Sequence, residues 1–150
     1  MRVVICILLL VITISSVSYA VDGTDEDVVE KEYSKREQKV IKKRGVEAEL
    51  VANLKAIKTA EIAYESNFDV FVRADFYPSA PSDSPQKWVK GSSGGFAALG
   101  WSPDGEVRGS YSVTTTTVDF MAKGIGDIDG DGTMETYTAT KSINPRSKIP

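Results

Sequence analysis

Residues 46–66 read VEAELVANLKAIKTAEIAYES. Leu50, Leu54, Ile57, Glu61 and Tyr64 follow one another at spacings of four, three, four and three, and Val46 and Ile62 widen the stripe. That period lines them up along one side of an α-helix, with Lys55, Lys58 and Glu65 turned away from it. Asn67 is the expected stop. A helix with one apolar side must pack on something, and here the partner has to come from downstream.

The downstream text supplies strands. Phe76 to Gly95 is loop-like, with Pro78, Pro81 and Pro85, and Trp88-Val89 is its one strongly apolar pair. Within it, Gly91-Ser92-Ser93-Gly94-Gly95 lacks the Gly-Lys-Ser/Thr of a phosphate loop and is no Gly-x-Ser-x-Gly elbow, so it reads as a turn. Phe96–Trp101 reads as a short first strand, followed by a Ser102-Pro103-Asp104-Gly105 turn. Val107–Val113 alternates around Tyr111 and runs into four threonines, Val118–Lys123 makes a third strand, and Glu135–Lys141 a fourth. The expectation is α+β: a long N-terminal helix packed on a four-stranded antiparallel sheet.

Upstream, residues 22–30 hold five acids and residues 31–44 seven bases, so the charges complement a helix macrodipole. Asp27/Lys31 and Glu32/Arg36 are i,i+4 pairs of favourable orientation. Residues 21–45 therefore read as a charged helical lead-in, solvated along its length, with a docking arm as the sharper alternative. Gly45 weakens that helix by about 1 kcal/mol relative to Ala. Residues 1–20 have a basic start at Arg2, a short apolar run from Val3 to Ile14, and a small-x-small ending at Ser18-Tyr19-Ala20. This is the pattern of a secretory signal peptide cut before Val21. An uncleaved membrane anchor is the competing reading, and a membrane is a partner only if residues 1–20 are retained. The expected location is the periplasm or cell surface.

The 150-residue chain carries 18 basic and 21 acidic residues, no His and one Cys, Cys6. Without His, the Ser-His-Asp and Cys-His triads and every His-ligated metal site are excluded. An acidic balance disfavours nucleic acid as a partner. An exported chain whose single Cys lies in the signal must hold its fold by core packing or by a bound ion.

The one candidate ion site is Gly126-Asp127-Ile128-Asp129-Gly130-Asp131-Gly132-Thr133-Met134-Glu135. Asp127, Asp129 and Asp131 occupy positions one, three and five of a calcium loop, with Gly132 at the sharp turn, Thr133 at seven and Glu135 at nine. Position twelve is Thr138 where the motif requires a bidentate Glu, and strand residues follow where a helix should. A tight Asp-Gly hairpin turn explains the same residues without an ion. Gly124-Ile125-Gly126-Asp127 also matches the Gly-x-Gly-Asp of intramembrane aspartyl proteases, which need several spans that this chain lacks.

Three blocks together resemble a known family. Asn53-Leu54-Lys55-Ala56-Ile57-Lys58-Thr59-Ala60-Glu61-Ile62-Ala63-Tyr64 resembles the later half of the long N-terminal helix of type IV pilins. Phe96 to Gly105, followed by Val107 to Val113, resembles the first part of the pilin sheet. Phe120 to Thr138 resembles the closing hairpin of bacterial pilins with short heads. The resemblance implies a pilin-like αβ-roll over residues 46–150. It also implies a non-catalytic subunit or accessory of a type IV pilus or related pseudopilus, with other pilin-like subunits or the pilus and secretion machinery as partners. Calcium near the sheet is known in the pseudopilin branch; here only Asp127, Asp129, Asp131, Thr133 and Glu135 could carry it. The chain departs from the family at its start, where no Gly-Phe-Thr-Leu-Ile-Glu segment stands and residues 25–44 are too charged for an apolar fibre core. A soluble calcium-dependent binding module, using the loop and exposed aromatics such as Trp88 and Trp101, is the alternative; against it, Trp101 closes an apolar run and reads as core, and Trp88 fits either role. A hydrolase built on two of Asp119, Asp127, Asp129 and Asp131 is the third reading, against which stands the solvation of acids clustered on one turn.

Overall fold

A computed structural model describes the backbone of residues 25–147 and side chains from Val28 onward. The expected signal peptide, its cleavage point and Cys6 lie outside the described residues. Helix α1 spans Asp25–Phe68, 44 residues or about 66 Å. The lead-in and the amphipathic helix are thus one element. Gly45 does not divide them, because a single glycine costs too little to break a helix held elsewhere by packing. The helix ends one residue beyond Asn67. Asp69 takes the left-handed conformation, φ 57°, and its N–H donates to the Glu65 carbonyl at 2.8 Å, the αL end of a helix.

Five strands follow: β1 Ala74–Tyr77, β2 Ser110–Thr115, β3 Phe120–Gly126, β4 Glu135–Thr140 and β5 Arg146–Ser147. They pair in chain order, each antiparallel to the next. The α+β architecture with an antiparallel sheet therefore holds, while the expected count of four strands does not. The difference has two sources. The apolar run at 96–101 is not a strand: Gly95–Ala98 forms a short helix, α2, and Trp101 N–H returns to the Phe96 carbonyl at 3.0 Å. Gly95 is required there, since a Cβ would collide with the Arg73 carbonyl oxygen and lie 2.8 Å from Ala74 Cα. The edge strands β1 and β5, four and two residues long, are too short to show an alternation.

One face of the sheet receives the helix. Val46 is the first buried residue of α1, followed by Leu50, Leu54, Ile57 and Glu61. Opposite them β3 presents Ala122, Gly124 and Gly126 at every second position. A Cβ on Gly124 would lie 3.3 Å from Leu50, so the small residues let the helix approach closely. Beside the helix, residues 78–109 fold over the same core. Trp88 packs edge-on against Tyr77 (4.8 Å between ring centroids) and Trp101 (5.2 Å), and Phe96 lies 5.3 Å from Trp101. Such offset and edge contacts add to simple burial.

Candidate functional site

The aspartate loop joins β3 to β4. Ile128 is buried and pins the loop to the core while its neighbours face outward. Gly130 and Gly132 both adopt positive φ, 78° and 87°, which lets the chain reverse twice within five residues. The carboxylates turn inward: one oxygen from each of Asp127, Asp129 and Asp131 falls within 4.8 Å of the others. Backbone amides hold them in place. Gly130 N–H and Gly132 N–H donate to the two oxygens of Asp127 at 2.7 and 3.0 Å, and Thr133 N–H donates to Asp131 at 2.7 Å. The Thr133 hydrogen bonds, aided by the Lys39 charge, lower the Asp131 pKa below the usual carboxylate value.

The other two expected ligands do different work. Glu135 accepts from Ile128 N–H at 3.1 Å, closing the neck of the loop, and stands outside the triad. Thr133 enters as an amide donor. Thr138, at position twelve, lies within β4 paired with Lys123. The donor set fits a hard cation in chemistry and falls short in number, since a calcium site needs six to eight oxygens. Lys39 of α1 already reaches Asp129 at 3.5 Å, so the charge of the loop is partly met from the helix.

Asp119 accepts from Phe120 N–H (2.8 Å) and Lys141 N–H (3.0 Å) at the opposite end of β3 from Asp127. It cannot form a catalytic pair with the loop. Of the two aromatics named for ligand binding, Trp101 joins the core, as its place at the end of an apolar run also suggested, and Trp88 packs with it. Trp101 is buried, and Trp88 is half-buried at the centre of the aromatic cluster, because flat rings fill the gap between the helix and residues 78–109.

Two polar features on α1 had no functional reading in the sequence. Glu49 receives Arg108 N–H at 2.9 Å, Gly109 N–H at 2.9 Å and the Tyr111 hydroxyl at 2.9 Å. Asn53 donates to that same hydroxyl, also at 2.9 Å. This network latches the entry of β2 onto the helix, and burial together with the Glu49 charge raises the Tyr111 pKa. Nothing in the spacing of Glu49 marks it, since its partners are backbone amides 59 and 60 residues away. Glu61 is the second. It was legible as the polar member of the stripe, and it is fully buried, accepting Val72 N–H at 3.0 Å on one oxygen while the other has no partner. Desolvation pushes its pKa up to about 7, against the Val72 hydrogen bond.

Among the described residues no helix is long and apolar enough to cross a membrane. No family model, curated protein or solved structure matches the chain.

Proposed function

We propose that this chain is an exported, non-catalytic pilin-like protein, a subunit or accessory of a type IV pilus or a related pseudopilus. What carries the reading is the sequence order of the three resembling blocks, although residues 96–101 of the middle block lie outside the sheet, combined with a long helix that docks by its second half on an antiparallel sheet. The absence of His from the sequence and the placement of Asp119 at the opposite end of β3 from the three loop acids support a binding role over a catalytic one. Deletion of the gene, scored by counting surface fibres and by complementation, tests it. Altered fibre number or length, restored by the intact gene, is expected. Unchanged fibres together with absence of the protein from fibre preparations overturns the proposal.

The converging triad favours a second reading, a calcium-dependent extracellular binding module. Three carboxylates at this spacing repel one another unless a cation lies between them. With the bidentate position missing, affinity belongs in the extracellular range, about 10⁻⁴ to 10⁻³ M. The ion would brace the β3–β4 loop and perform no chemistry.

A further inference from the structure

Upstream of Val46, α1 continues past the edge of the sheet, and every side chain from Val28 to Ile41 is exposed. Val29, Tyr33, Arg36 and Val40 recur there at spacings of four, three and four, the repeat of a coiled-coil seam. Val29 is 66% exposed and Tyr33 64%. The same register continues through Lys43 to Glu47, where the Tyr137 hydroxyl already covers it, donating to Glu47 at 2.9 Å. The seam is therefore continuous with the face packed on the sheet, and it is bare only where the sheet ends. A solvated helix of about 20 residues is marginal by itself and gains stability from a packed face.

Charge selects the occupant. Residues 25–30 of the helix hold four acids and residues 39–44 four bases. We propose that the seam binds a second copy of this chain as an antiparallel, two-fold symmetric helix pair centred between Ser34 and Lys35. In that register Val29 meets the partner's Val40, and Tyr33 meets the partner's Arg36, a ring beneath a guanidinium. Glu32 flanks the partner's Lys39, twice by symmetry, and the acid-rich start of each helix runs beside the base-rich end of the other. Glu30 near the partner's Glu37, also twice by symmetry, is the one kind of like-charge flanking pair, and the register that sets Lys43 opposite the partner's Glu26 adds an attractive pair in the seam. A parallel in-register pair would instead set Glu32 beside the partner's Glu37 and Lys39 beside the partner's Arg44, both repulsive. The overlap ends near residue 44, because from Val46 the helix is under the sheet; the head reaches back to Lys39 through Asp129 and to Lys42 through Asp83, so the partner helix passes on the side turned away from those two contacts. With few apolar layers the contact belongs at the small end of specific interfaces, and the dimer dissociates on dilution. The inference rests on the helix alone and is independent of the fibre reading, which the deletion experiment scores separately.

The test uses the full-length chain with Cys6→Ser, in detergent where the first 20 residues require it. Sedimentation should show mass rising toward a dimer as concentration increases to about 1 mM. Tyr33→Glu should abolish this while leaving circular dichroism of the head unchanged, since Tyr33 touches nothing in the core. Glu32→Lys and Lys39→Glu should each weaken the dimer at least several-fold, and the double variant should restore it. Spin labels at Ser34 should lie close across the pair, while labels at Arg44 should be displaced by about 28 Å along the axis. Short distances at both positions would mean a parallel pair. That result, a monomer at every concentration, or association indifferent to residues 32, 33 and 39 (as contact through residues 3–14 would be) overturns the proposal.

Discussion

Glu61 is a carboxylate with one oxygen bonded to Val72 N–H and the other bonded to nothing, fully buried in the helix–sheet interface. Its pKa of about 7 stands above the ordinary 4.5, so the folded chain holds the proton more tightly than the unfolded one. The stabilising contribution is then complete below pH 4.5 and is lost as pH rises through 7, amounting to about 3 kcal/mol. Urea unfolding should therefore show stability falling between pH 5 and pH 8, and Glu61→Gln should flatten that slope and raise stability at pH 8. Parallel profiles for the two proteins would contradict this. Glu49, by contrast with the half-bonded Glu61, is a satisfied acceptor. Glu49→Ala strands two backbone amides and a tyrosine hydroxyl, and should cost about 2–4 kcal/mol in chemical unfolding. Tyr111→Phe, which keeps the ring and drops the hydroxyl, should cost about 1–2 kcal/mol.

At the scale of elements, what could be read depended on how much periodicity each element carried. The stripe from Val46 to Tyr64 declared α1 because a helix half-covered by a sheet must repeat its apolar residues every three or four positions. β2, β3 and β4 were visible mainly by strand composition, rich in Val, Thr, Tyr and Phe; only β3 alternates cleanly, with Phe120, Ala122, Gly124 and Gly126 buried between more accessible neighbours. Phe96–Trp101 was misread because a six-residue apolar run has the composition of a strand or of a buried helical turn, and only the fit of Gly95 against Arg73 and Ala74 decides between them. β1 escaped notice because an edge strand of four residues, ADFY, needs no full alternation. The aspartate triad was legible in spacing, whereas the diversion of Glu135 to Ile128 N–H depends on the closing of a loop that sequence does not encode locally. The loop carries its own prediction. If the triad takes calcium, the melting temperature should rise by several degrees at about ten times the dissociation constant and fall back with chelator. Asp129→Asn should remove the response. A melting temperature indifferent to calcium assigns the loop to hairpin geometry alone.

For the whole molecule, the chain divides by where the helix is covered. From residue 25 to residue 45 it is a charged rod held to the head by the ion pairs Lys39–Asp129 (3.5 Å) and Lys42–Asp83 (2.8 Å), both too exposed to contribute much stability. Above it, the rod becomes one wall of the core. This division suits a protein whose head is displayed and whose helix makes the contacts, which is the role proposed for it. The most direct measurement is fractionation of the cells that produce it, with surface fibres sheared off, purified and analysed by mass spectrometry for peptides from residues 46–147. The account predicts those peptides in the fibre fraction, at a constant ratio to the fibre subunits through successive purification steps. Recovery of the protein solely as a free species, with fibres of normal number and composition in its absence, would contradict it.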